Sequence, residues 1–219
     1  MKMVGSPSWQ LTEVEGDWAH LLLYIRDVAA LEVPVEVDAP PRLVGLPPYG
    51  ALVLDDDRRR RAGREWADWW QALLEAEVRE QTGTEEDHDS SFWAWAEALG
   101  RVWDAPEFWS LTDQRALREV TLALYPEARR WVDDGPSSPF RLRGEGHFPW
   151  STVRDTAEGV ADERGVSPGE VRGRVMVLDV EGVWWRRVAP GTALCSTAAT
   201  EDSPTARTVL RDAFESGLA

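Results

Sequence analysis

The stretch "REWADWWQALLEAEVRE", residues 64–80, decides the fold. Trp66, Trp69, Trp70, Leu73 and Leu74 fall at i, i+3, i+4, i+7 and i+8, which places them on one continuous helical face. Arg64, Asp68, Gln71, Glu75 and Arg79 fall mostly on the other face. A buried indole removes roughly 150–250 Å² from water, so a stripe of three is built for packing. The spacing predicts core, not a platform for sugars or bases.

The same device recurs downstream. Phe92, Trp95, Ala96, Leu99, Val102 and Trp103 share a second helical stripe. Trp93 lies off that stripe, which leaves it either as an exposed anchor for a partner or packed on a third element. The segment between the two helices, "TGTEEDHDSS" at 82–91, reads as a solvated loop. Its glycine precedes the acids and no ligand repeat comes after them, unlike a calcium loop. Asp89 or Ser90 is the expected cap of the next helix. Trp93 with Glu85, Glu86, Asp87 and Asp89 forms the candidate protein-interaction site, a ring set in negative charge.

Upstream, Trp18, Leu21, Leu22, Ile25, Val28 and Ala29 give an amphipathic helix over about residues 17–31, and Leu23 points to a second covered face. Val33, Val35 and Val37 alternate with Pro34 and Glu36, as in an edge strand. Prolines 40, 41, 47 and 48 separate that strand from "ALVL" at 51–54, so a small sheet is expected beside the helices. "DDDRRRR" opens the central helix, with acids at the positive end of the dipole and arginines to pair with them.

Beyond the second stripe, Ser110 and Asp113 stand near capping-box spacing, and Leu117, Val120, Thr121 and Leu124 form a buried stripe. Pro126 is expected to start or kink a further helix that Gly135 and Pro136 stop. The Gly-, Pro- and Ser-rich segment 135–150 divides the chain into an acidic, tryptophan-rich, mainly helical part, 1–134, and a smaller α+β part, 135–219. In the latter, "RVMVLDVEGVWWRRV" carries two β-rich runs around "DVEG" and predicts a hairpin. "PGTALCST" supplies a third strand of a small antiparallel sheet, and Ser203 with Pro204 opens a terminal helix. The fold class is α+β.

The 219 residues carry 39 acids and 24 bases, a net charge of −15. Residues 1–134 hold 27 acids against 14 bases, whereas 135–219 are nearly balanced at 12 against 10. Such a surface repels phosphate backbones and favours basic partners. Lys2 is the sole lysine, a bias that suggests a high-GC bacterial genome. Cys195 is the sole cysteine, so no internal disulfide forms. The first residues lack an apolar signal core, and no apolar run spans a bilayer. A soluble cytoplasmic protein is the expectation.

The chain holds no H-E-x-x-H, C-x-x-C, phosphate-binding glycine loop or G-x-S-x-G elbow. His20, His88 and His147 are scattered, and Cys195 sits in an apolar run, so neither a metal, a cofactor nor a catalytic thiolate is expected. Residues 152–175, "TVRDTAEGVADERGVSPGEVRGRV", resemble the helix-turn-helix of bacterial repressors. Under that resemblance Ala161 would pack between the helices, Gly165 make the turn and Val171 anchor the second helix. Ser167, Gly169, Glu170 and Arg172 would face a major groove. Arg174, however, stands where the second helix calls for an apolar residue, the β-rich run begins almost at once, and 141–187 hold eight bases against eight acids. The residues themselves read as helix and turn leading into a hairpin.

These observations point to a non-enzymatic cytoplasmic interaction module, an adaptor, regulator or inhibitor or immunity-type protein, that meets a basic protein surface. An enzyme with a motif-free site in a cleft between the two parts is the alternative. A winged-helix-like DNA binder is the second alternative, with nucleic acid disfavoured by charge.

Overall fold

The computed structural model describes residues 8–46, 52, 54–79, 97, 99–134 and 146–218. Two compact units emerge, one of residues 17–138 and the other of residues 1–16 with 139–219. The fold is α+β, with a helix-rich N-terminal part and a four-stranded mixed sheet.

In the unit of residues 17–138 the main helices are α1 (Asp17–Val28), α2 (Asp56–Arg79) and α3 (Arg115–Asp134). The tryptophan stripe of α2 is core: Trp66, Trp69, Trp70, Leu73 and Leu74 are all buried. Trp66 stacks on Trp70 with ring centroids 5.4 Å apart, and Trp70 meets Trp18 of α1 at 5.9 Å. Two of the buried indole N–H groups find carbonyls, Trp66 donating to Leu22 at 2.9 Å and Trp69 to Val102 at 2.8 Å. Those bonds remove the penalty of burying a polar hydrogen.

From Trp18 to Val28 every residue of α1 is buried, beyond the single stripe and the hint from Leu23. Two charges go in with it. Arg26 pairs with Asp27 at 2.6 Å and donates to the carbonyls of Pro40 and Pro41, at 2.6 and 2.7 Å. Asp27 accepts the Leu43 N–H at 2.8 Å. The proline pair cannot contribute N–H donors to a ladder, so its carbonyls are served by a guanidinium from α1. The buried ion pair thereby pins the proline-rich segment.

Several expectations are corrected. Residues 33–37 form no strand: Val37 N–H bonds back to the Pro34 carbonyl at 3.0 Å in a turn, and Val35 is 96% exposed. Pro34 lacks a donor and no described strand lies alongside, so alternation alone does not make a sheet. Leu52 and Leu54 are not in a strand either; Ala51 and Val53 lie outside the described residues. Pro126 does not start a separate helix, because α3 runs through it. Leu122, whose carbonyl loses its helical partner there, is solvent-exposed, so water can take the bond. Ser110 does not cap α3. Its hydroxyl turns to Asp104 and the Val102 carbonyl, while Glu65 of α2 accepts the Leu117 N–H at 2.7 Å in the first turn of α3.

The other unit contains β1 (Gln10–Glu15), α4 (Trp150–Arg164), β2 (Arg172–Leu178), β3 (Trp185–Ala189), β4 (Thr192–Ser196), α5 (Thr197–Glu201) and α6 (Ser203–Gly217). The sheet order is β1-β2-β4-β3, parallel across the first two pairings and antiparallel across the last. The expected β2–β3 hairpin is therefore absent: β4 lies between them, and the hairpin is β3–β4. Burial explains the placement. Every residue of β4 is buried, as suits a central strand, whereas β3 carries Arg186 and Arg187 and takes the edge. Val153, Ala157 and Val160 of α4 and Val209, Leu210 and Phe214 of α6 pack with Val175, Val177, Ala193 and Cys195 of the sheet.

Gly165 ends α4 in the left-handed region at φ 65°. A single 3-10 turn, Pro168–Glu170, then leads directly into β2. The second helix of the helix-turn-helix resemblance does not form, and Ser167, Gly169, Glu170 and Arg172 make a turn and a strand start. At the last helix the cap is Asp202, not Ser203: its carboxylate accepts the Thr205 N–H at 3.1 Å.

Candidate functional site

The interaction residues expected from sequence, Trp93, Glu85, Glu86, Asp87 and Asp89, lie outside the described residues, as does His88. Another tryptophan of the same unit has the surface character sought in Trp93. Trp109 is 65% exposed, while its neighbour Phe108 is wholly buried.

That in-out reversal has a local cause. Phe108 sits edge-on to Trp69, Trp103 and Tyr125, with centroid distances of 6.0, 5.4 and 5.0 Å. To enter that aromatic nest its backbone takes the left-handed region, φ 50° and ψ 49°. For a residue with a Cβ this costs on the order of 1–3 kcal/mol, which the burial of the ring offsets. The adjoining 3-10 turn, Trp109–Leu111, then carries the indole outward.

The exposed ring is held in place. The Arg118 guanidinium lies 4.9 Å from its centroid, in cation–π range. Arg118 is itself fixed, donating to the carbonyls of Phe108 and Glu107, each at 2.9 Å. Asp104 accepts both the N–H and the hydroxyl of Ser110, at 3.0 and 2.7 Å. Thr112 N–H donates to the Trp109 carbonyl at 3.0 Å. Glu107 and Asp113 flank the ring in sequence and are exposed. The result is an outward indole backed by the Arg118 guanidinium, with exposed acids on either side of it in sequence.

The second unit has its own aromatic feature. Trp9 and Trp150, with centroids 4.8 Å apart, stand over a groove also lined by Leu11, Glu13, Phe148 and Val153. Trp150 is 68% exposed. Elsewhere in this unit the lone thiol is unsuited to chemistry. Cys195 is fully buried, and burial, with the Glu13 charge adding, pushes the thiol up to about 12. It is a protonated core side chain at neutral pH. His147 presents its backbone N–H to Glu13 at 2.6 Å.

Among the described residues no group of three or more His, Cys, Asp or Glu side chains is placed to hold a metal ion, and no helix is long and apolar enough to cross a membrane. Sequence reasoning passed over Trp109 because Ser110 beside it read as a cap. The available signal was "EFWS", two adjacent aromatics that no helical stripe can bury together. No protein-family model, curated protein or solved structure matches the chain.

Proposed function

We propose that this protein is a non-enzymatic cytoplasmic interaction protein, an adaptor, regulator or inhibitor, whose acidic N-terminal unit docks a basic surface of another protein. The observation that carries the reading is Trp109: a large ring left in water, yet fixed from behind by Arg118. An ordered, exposed tryptophan loses little conformational entropy on binding and offers the burial that hot spots supply. Its backbone support includes a left-handed Phe108, and strain of that kind is retained where a surface must hold one shape. The surplus of acids in residues 1–134 supplies long-range attraction for a basic partner and speeds its association. Trp93 with Glu85, Glu86, Asp87 and Asp89 belongs to the same proposal on its sequence alone, a ring set among acids. A protonated core thiol at Cys195 agrees with a binding role better than with nucleophilic catalysis.

The test is capture of partners from the native host by wild type and Trp109→Ala. The reading expects a basic protein retained by wild type, released as salt rises through the range that screens charges beyond about 8 Å, and lost from the variant. Equal retention of the same proteins by both would defeat it. The position is exposed, so the variant keeps its fold, and a matched unfolding midpoint confirms that before capture.

A further inference from the structure

Trp9, Leu11 and Glu13 recur at period two along β1 and its approach, so they share one face. Across from them stand Phe148, Pro149, Trp150 and Val153 at the start of α4. The two walls enclose a groove of about 510 Å³, in the range of small-molecule sites. Phe148 and Val153 belong to the core and make an apolar floor. Among the described residues Glu13 is the one ionisable side chain that lines it.

That carboxylate is fixed and has no salt bridge among the described residues. Oε2 accepts the His147 N–H at 2.6 Å. On the other oxygen the loop closes in through Gly146, where a Cβ would stand 2.9 Å from Oε1. Any larger residue at 146 would displace the carboxylate, so the glycine lets the backbone approach it. No described arginine or lysine lines the groove to neutralise the charge. A part-buried, oriented negative charge beside two indoles attracts one class of ligand. Ring faces are the negative poles of the aromatic quadrupole, and they favour the same sign of guest as the carboxylate does.

We propose that this groove binds a small organic cation, an ammonium on a compact apolar body. The charge sits at Glu13 and against the indoles of Trp9 and Trp150, and the body lies over Leu11, Phe148 and Val153. The site is in a different unit from Trp109 and stands independently of the protein-partner reading.

Calorimetric titration of the full chain with 2-phenylethylammonium and with 3-phenylpropionate tests the proposal, because the two probes differ chiefly in the sign of charge. For a probe of this size the expected dissociation constant of the ammonium is about 1 mM or tighter. The carboxylate is expected not to bind measurably. Glu13→Gln keeps the acceptor for His147 N–H and should weaken the ammonium at least about tenfold, the effect of losing one charge contact. Trp150→Ala removes an exposed ring, leaves the fold intact and should weaken it several-fold, so the test survives if Glu13→Gln folds poorly. Absence of ammonium binding at about ten times that concentration overturns the proposal. So does equal binding of both probes, or an affinity unchanged in Trp150→Ala.

Discussion

The two units build their cores differently from tryptophan, although the helical unit also exposes Trp109. In the helical unit Trp18, Trp66, Trp69 and Trp70 are buried, and the rings pack on one another. In the sheet-bearing unit the core is built of valine, alanine, leucine and phenylalanine; Trp9 and Trp185 are half-buried against it, and Trp150 is exposed. The difference has a geometric origin. A three-helix packing leaves wide, irregular gaps that large flat rings can fill, and α2 presents them on one stripe. Between the short sheet and its two helices the core is filled mainly by β-branched and small residues, and the described indoles pack at its edge. Tryptophan content is therefore no guide to function; position relative to the stripe is.

The largest expected effect tests the buried side of this contrast. Trp70→Ala should cost about 3–5 kcal/mol in denaturant unfolding, the loss for a large core ring. A cost under about 1 kcal/mol would mean that the stacked Trp66–Trp70 pair is not part of the core.

Next in size is Gly63→Ala in α2. A Cβ there would lie 2.1 Å from the Glu32 carbonyl oxygen, so the backbones must separate. Overpacking of this kind should cost roughly 1–3 kcal/mol, against the gain that alanine usually brings to a helix. The counterpart in the other unit is Gly159 in α4, where a Cβ meets nothing within 4 Å. Gly159→Ala should stabilise by up to about 1 kcal/mol. Equal signs for the two glycine variants would break the comparison.

The core of the second unit is tested by pH. Cys195 stays protonated in the folded chain up to about pH 12, while in the unfolded chain the thiol ionises from about 8.5. The stabilising contribution is present in full below that lower value. As pH rises between the two values the unfolded state holds fewer protons, so stability falls. Wild type should therefore lose stability between pH 8 and 10 more steeply than Cys195→Ala. Parallel curves would place the thiol in water. The smallest effect belongs to Trp150→Ala, which should change stability by under about 1 kcal/mol because the ring is exposed and loses chiefly its contact with Trp9.

Where periodicity was strong, the sequence was legible. The five residues of the α2 stripe and the apolar run around Cys195 read correctly, since spacing alone fixes the buried face. Strand order did not read. β2 and β3 flank a turn signal, and nothing local says that β4 will insert between them. The two arginines of β3 against the wholly buried β4 were the available hint. The surface features were the least legible. Trp109 faces outward because Phe108 falls into a nest made by Trp69, Trp103 and Tyr125, residues as far as 39 positions away. The groove joins residues 9–13 to 146–153, and Glu13, the one ionisable side chain lining it among the described residues, looked like any of the acids.

Hydrogen exchange of the indole N–H groups is the most direct measurement of the central claim, because it reads each tryptophan separately in the same sample. The account predicts that Trp66, whose N–H is bonded to Leu22 inside the core, exchanges at least about a thousandfold more slowly than a free indole. Trp150 and Trp109 should exchange within about tenfold of the free rate. Fast exchange at Trp66, or protection at Trp150 and Trp109 equal to it, would contradict the division of the tryptophans into core and surface.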